Sequence, residues 1–404
     1  MKKSLRPLGL SLYLALCYAV AYALLYFSYG THKIAIITLV IATAAIFVAI
    51  VVNTLFHELG HLIFGLLTGY RFLSFRIFTL MLIRENGVLR FKKHAMPGTL
   101  GQCLMAPPAY QGGNFPFMLY NLGGILFGGI VSLALVIVAL IVEMHMTLQF
   151  FCLMAGWIGL VLNFVNAIPQ SGKKAMNDGT NTHYAKHSLA AKTALWNQLQ
   201  YVSLHAKGFR AKEMPDTLFS VPPAEELNNP LTVWQGLAAV ERALDLHEFD
   251  RAKEIATHLF NNAVVEIPLY RAAIVSEMLY LELVTDLDAD RVDDLYHMMK
   301  LFAPILKKSV STHRVLFAYH LLRRKDERLA NAAASAFYES IGRHPFRTDV
   351  EFEGDLINYA KERHHLRENE KSRVPAPAAT PGAPEIIIEE TSEEEENYEG
   401  DNMA

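Results

Sequence analysis

The segment His57-Glu58-Leu59-Gly60-His61 lies inside an apolar run that spans residues 34–68, and this pairing constrains the chain more than any other feature. A run of that length exceeds the roughly 20 apolar residues a helix needs to cross a hydrocarbon core. A glutamate and two histidines inside such a helix are costly unless they are paired or bind something. On a helix, positions i and i+4 share a face, so His57 and His61 can offer a nitrogen each to one Zn²⁺, with Glu58 beside them to act on a water. In a soluble helix the same five residues often form a plain polar face, but a membrane span has no solvent for such a face.

Three more stretches are long and apolar enough to span: residues 8–29, 117–142 and 148–168. At 52% hydrophobic the 404-residue chain is too apolar for an ordinary soluble protein, and the excess is concentrated before about residue 170. Lys2, Lys3 and Arg6 precede the first span. Arg71, Arg76, Arg84, Arg90, Lys92 and Lys93 lie between the second and third, and Lys173 and Lys174 follow the fourth. By the positive-inside rule the N-terminus, the loop 69–116 and everything after 170 are expected to be cytoplasmic, in a multi-pass cell-membrane protein. The first span also reads as a secretory signal peptide, although its apolar body is long and no clear cleavage site follows. A formal net charge of −3 and the absence of a basic face exclude nucleic acid as a partner. Cys17, Cys103 and Cys152 form no C-x-x-C pair and read as small buried apolar residues.

A catalytic zinc site takes three protein ligands and keeps a fourth position open, so two histidines do not complete it. The candidate for the third is Asp178, in Asn177-Asp178-Gly179 after the fourth span. Pro169 is expected to end that helix and turn the chain, returning Asp178 to the depth of the histidines. Asp-Gly is equally a common turn signal, so these residues alone leave both readings open.

Together these motifs resemble the site-2 protease family of intramembrane zinc metalloproteases, in which H-E-x-x-H in one core span is followed by N-x-x-P and D-G around a later one. Here they are His57 to His61, Asn166-Ala167-Ile168-Pro169 and Asp178-Gly179, while Asn121-Leu122-Gly123-Gly124 is similar to the start of the family's middle core helix. The resemblance covers about residues 34–180. It implies Asp178 as third ligand and Glu58 as general base, in a zinc endopeptidase that cuts membrane-spanning or membrane-associated proteins and peptides near the cytoplasmic face. Asn163 and Asn166 are candidates for binding substrate or oxyanion, with helix capping or packing as the other reading for Asn166. Two departures stand out: the gap from Pro169 to Asp178 is longer than in the compact branches, and Gly128 occupies a position where many relatives carry asparagine.

After the zinc helix, the apolar run 75–83 and Val88-Leu89-Arg90-Phe91 flank Asn86-Gly87, a hairpin signal. Such a hairpin either lies on the membrane surface or offers a strand edge to an extended substrate segment. From about 183 to 365 the chain reads as successive helices. Trp234 to Leu246 and Asp250 to Ala263 resemble a tetratricopeptide pair, with Ala239, Ala252 and Ala256 as small contact positions, and a plain helical bundle is the other reading. This region suits binding of a substrate tail or a cytoplasmic regulatory partner. His183, His187, His364 and His365 lack ligand spacing to the zinc motif and are expected at the surface. The Pro/Ala-rich and Glu-rich end from 371 cannot build a core.

The expected fold class is an all-α polytopic membrane protein with about four transmembrane helices, a short membrane-associated β-hairpin and a cytoplasmic α-helical repeat-like domain. Its parts are residues 1–33 (first helix and external loop), 34–180 (protease core), 181–370 (helical domain) and 371–404 (acidic tail). A non-proteolytic membrane adaptor that recruits partners through the helical domain is the competing expectation.

Overall fold

The computed structural model describes residues 19, 36–85, 87–94, 99–170, 176–264, 267–306, 309–341 and 346–373. The expected first span at 8–29, Lys173, Lys174, Cys17, Asn86 and the acidic tail lie outside the described residues.

Helix α1 (Ile36–Leu67), α2 (Phe117–Ile141) and α3 (Met146–Ala167) are each long and apolar enough to cross a membrane. Their outer faces stay apolar, with Phe47, Ile130, Leu140 and Phe164 exposed. Their inner faces combine small residues with a few paired polar groups. Asn53 on α1 donates to Ala49 O and, across the bundle, to Ala155 O on α3 at 2.7 Å. Ser132 on α2 donates to Asn53 Oδ1 at 3.0 Å. One buried asparagine thus ties the three helices, the kind of contact that orders helices where apolar burial gives no preference. Ile46, Ala49, Met154, Ala155 and Ile158 pack beside it.

Between α1 and α2 the expected hairpin is half of a larger unit. Strands β1 (Arg71–Ile77), β2 (Leu80–Glu85), β3 (Val88–Lys93) and β4 (Gly101–Ala106) form one antiparallel sheet ordered β3-β2-β1-β4. Strand β2 pairs with β3 with Glu85 opposite Val88, on either side of the expected Asn86-Gly87 position. The run 75–83, expected to be a single strand, is broken at Phe78-Thr79, where Phe78 adopts a left-handed φ of 52° and Ile77 pairs with Leu80. Neither residue favours that conformation, which is why the turn leaves no local mark. Arg76, 1% exposed, holds the turn and β4 together by donating to Phe78 O, Thr99 Oγ1 and Gly101 O.

Pro169 follows α3, and the chain resumes as α4 (Asp178–His187), capped by Asn177 Oδ1 accepting from Thr180 N at 2.9 Å. Helix α5 (Leu189–His205) joins the two halves: Trp196 Nε1 donates to Pro108 O at 2.9 Å, and Tyr110 and Thr193 share a hydroxyl hydrogen bond at 2.7 Å. Beyond it stand α6 (Pro230–Asp245), α7 (Phe249–Asn262), α8 (Pro268–Val284), α9 (Ala289–Lys300), the short α10 (Ala303–Leu306), α11 (Val310–Ala318), α12 (Glu327–Ile341) and α13 (Arg347–Arg373). The α6–α7 pair covers the two helices expected at 234–246 and 250–263, with Ala239, Ala252 and Ala256 buried. Helix α13 then runs back across the domain. Tyr359 stacks on Phe249 of α7 at 3.9 Å, and Leu356 O accepts from Tyr280 of α8. A returning helix that touches non-neighbours builds a closed bundle, whereas an open repeat array restricts contacts to adjacent units.

Candidate metal centre

Helix geometry does the first part of the work. His57 and His61 lie one turn apart near the C-terminal end of α1, with their Nε2 atoms 3.2 Å apart. The start of α4 brings Asp178 Oδ2 to 3.0 Å from His57 Nε2 and 3.1 Å from His61 Nε2. The three ligand atoms form a nearly equilateral triangle, and this group could hold a metal ion. The long connection from Pro169 therefore still delivers the carboxylate to the histidines. Burial by itself raises the Asp178 carboxyl, but the His61 and His57 imidazoles hold it well below the usual carboxylate range, so it is ionised at neutral pH.

The rings are oriented from behind. His61 Nδ1 donates to the Tyr120 carbonyl on α2 at 2.8 Å, and His57 Nδ1 donates to Asn163 Oδ1 on α3 at 2.8 Å. With both Nδ1 atoms protonated, both Nε2 lone pairs converge on the carboxylate side, the arrangement metal-binding histidines need. Asn163 is itself aimed: its Nδ2 donates to Gly159 O at 2.8 Å. Its amide is thus spent inside the protein, and the side chain orients His57. Asn166, the other expected polar contact, donates to Asp178 Oδ2 at 2.5 Å and lies 3.2 Å from His57 Nε2. It holds the carboxylate and keeps its amide at the site.

Helix α2 approaches this cluster by its backbone. A Cβ at Gly124 would lie 2.5 Å from His61 Nε2 and 2.7 Å from His57 Nε2, so only glycine leaves the space open. Gly128 makes room one turn further on, where a Cβ would meet Asn163 Oδ1 at 2.7 Å. Asn163, from α3, occupies that space and accepts from His57.

Glu58 is 6% exposed and points toward the sheet, where a Cβ at Gly101 would come within 2.5 Å of Glu58 Oε1. It interacts electrostatically with His61, His57 and Asp178 on one side and Arg76 on the other. Tyr120 and the first residues of β4 were not legible as parts of the site. The former acts through its carbonyl, which carries no side-chain signal, and the latter through a sheet whose extent was hidden. Comparison of the chain with models of protein families, with curated proteins and with solved structures finds no match in any of the three.

Proposed function

We propose that this chain is an intramembrane zinc endopeptidase of the site-2 protease type, acting on membrane-spanning or membrane-associated proteins and peptides. The observation that carries the reading is the triangle of His57 Nε2, His61 Nε2 and Asp178 Oδ2, with edges of 3.0, 3.1 and 3.2 Å, beside a buried glutamate. Tetrahedral zinc with ligands at about 2.0–2.2 Å sets neighbouring ligand atoms roughly 3.3 Å apart, so the donor set fits in spacing and in kind. Three ligands leave a fourth position open, as a catalytic site requires. Bound zinc supplies a Lewis acid that polarises a scissile carbonyl and brings the pKa of a water to about 7.

The chain's own residues do the rest. Glu58 takes a proton from the attacking water and returns it to the departing amine nitrogen, so that water adds across the C–N bond as that bond breaks. Arg76, a buried cation, interacts electrostatically with Glu58. Asn166 fixes Asp178 and keeps a donor at the site for the substrate carbonyl. Strand β4 closes one side of the sheet, and among the described residues no further strand pairs with its outer edge. A substrate segment added along β4 becomes extended with its backbone next to Glu58. Extension matters because an intact helix keeps its carbonyls in its own hydrogen bonds. Three apolar helices, apolar outer faces and the Lys/Arg distribution of the chain support embedding in a cell membrane with the site toward the cytoplasmic side.

The test uses purified chain reconstituted in liposomes with a panel of single-span peptides. Cleavage that stops on chelation and returns with zinc, within or at the edge of the span, is the expected result. A second reading, the non-proteolytic adaptor, is favoured only by the size of the helical domain. It is supported instead if no span is cut and zinc is absent or lost without consequence.

A further inference from the structure

The helical domain forms a half-open pocket of about 410 Å³ lined by α5, α6, α8, α11 and α13, sharing no lining residue with the metal centre. Its size falls in the range of small-ligand sites. Four carboxylates line it: Glu241, Glu277, Asp349 and Glu353. Arg314, fully buried behind them, pairs with Glu277 Oε1 at 2.7 Å and Glu353 Oε2 at 2.6 Å, and His205 Nδ1 meets Asp349 Oδ1 at 3.1 Å. Glu241 receives only a neutral donor, the Tyr201 hydroxyl at 2.5 Å, so among the described residues the lining carries more acid than base. Burial accordingly pushes Glu241 up to about 7 and Glu353 up to about 8.

Three polar atoms on this lining lack hydrogen-bond partners among the described residues, Glu277 Oε2, Glu353 Oε2 and His205 Nε2, and of these Glu353 Oε2 is ion-paired with Arg314. His205 is 6% exposed; burial by itself lowers its pKa, but Asp349, hydrogen-bonded to Nδ1, together with Glu241 and Asp245 raises it. The remaining wall is aromatic. Trp234 sits edge-on to Tyr201 at 5.6 Å, and Tyr270 and Phe346 complete it. The carboxylates do not converge as metal ligands, since the only group of that kind among the described residues is the triad at His57, His61 and Asp178.

Four carboxylates set against Arg314 and His205, the unpartnered Glu277 Oε2 and the aromatic faces together favour one ligand chemistry. We propose that this cavity binds an organic cation, an ammonium or guanidinium on an alkyl stem, either as a basic side chain of a peptide or as a free small molecule. The cation would donate to Glu241 and Glu277 Oε2 while its stem packs on Trp234 and Tyr270.

Calorimetric titration of the purified full chain tests this with three probes: a capped Gly-Lys-Gly peptide, free n-butylammonium, and a capped Gly-norleucine-Gly peptide as the neutral isostere. Both cations are expected to bind, the norleucine peptide about tenfold more weakly or not at all, and Glu241→Gln to weaken both cations by a similar factor. A lysine peptide that binds more tightly than butylammonium identifies a peptide-borne cation, and equal binding a free one. Equal affinity for the lysine and norleucine peptides, no binding of either cation at millimolar concentration, or unchanged binding by a natively folded Glu241→Gln chain overturns the proposal. If Glu241→Gln does not fold, the lysine and norleucine arms on the unaltered chain still decide it.

Discussion

The three-helix core and the helical domain bury polar groups in opposite ways. In the core, Asn53, Ser132, Asn163 and the Tyr120 carbonyl act across helices, and two of them aim histidines at one point. Close approach there depends on glycine, as at Gly124 and Gly128. In the domain, a continuous cluster of Leu, Val, Ala and aromatic residues from Ala211 to Ala360 carries the packing, and the buried charges form a network around Arg314. In the membrane embedding proposed for the core, no apolar driving force distinguishes one helix pairing from another and polar contacts set the geometry; where water supplies that force, buried charge must answer to something else. The core's polar groups converge on a metal-sized triangle, and the domain's surround a cavity.

The largest effect that would break this contrast is loss of a ligand. His61→Ala or Asp178→Ala is expected to take zinc from about one per chain to near zero and to abolish cleavage, leaving the thermal transition of the helical domain in place. Elemental analysis of purified protein checks it. The domain's counterpart is Arg314→Met. With Glu277 and Glu353 left without their cation, unfolding of the domain should be easier by about 3–5 kcal/mol, with zinc content unchanged. Chemical denaturation followed by circular dichroism reads the difference, and adding Glu277→Gln and Glu353→Gln should restore part of it.

A smaller effect sharpens the comparison within the core. Asn163→Ala removes the acceptor that orients His57 without touching a ligand, and is expected to weaken zinc binding by about 10–100-fold. Competition with a chelator of known affinity measures it. Smallest is a pH effect confined to the domain. Burial, with Glu277 and Glu241 adding to it and Arg314 opposing, raises Glu353 from 4.5 to about 8, and burial raises Glu241 to about 7. A carboxyl raised in the fold contributes stability that is complete below its unfolded value and is lost as pH rises through the folded one. The domain should therefore melt at a lower temperature at pH 9 than at pH 6, and Glu241→Gln should flatten the curve between pH 5 and 7.

How much was legible in the chain follows from the same contrast. His57, Glu58 and His61 declare themselves because helix periodicity joins them and hydrocarbon penalises them. The helix boundaries from α1 to α3 match the apolar runs within a few residues for the same reason. The sheet was half-hidden, since a turn at Phe78-Thr79 uses residues that do not signal one. The fit of Asn163 against Gly128 involves two helices, so neither position reveals it alone. Arg314, Glu277 and Glu353 look like surface charges on amphipathic helices, and only the return of α13 buries them together.

The account stands on Glu58 acting as a base at a zinc site inside a membrane. The most direct measurement compares the peptides of membranes containing the unaltered chain with those containing Glu58→Gln, at matched zinc content. The prediction is that a defined set of membrane-derived cleavage products disappears with Glu58→Gln while its zinc remains at one per chain; an unchanged peptide profile would contradict the account.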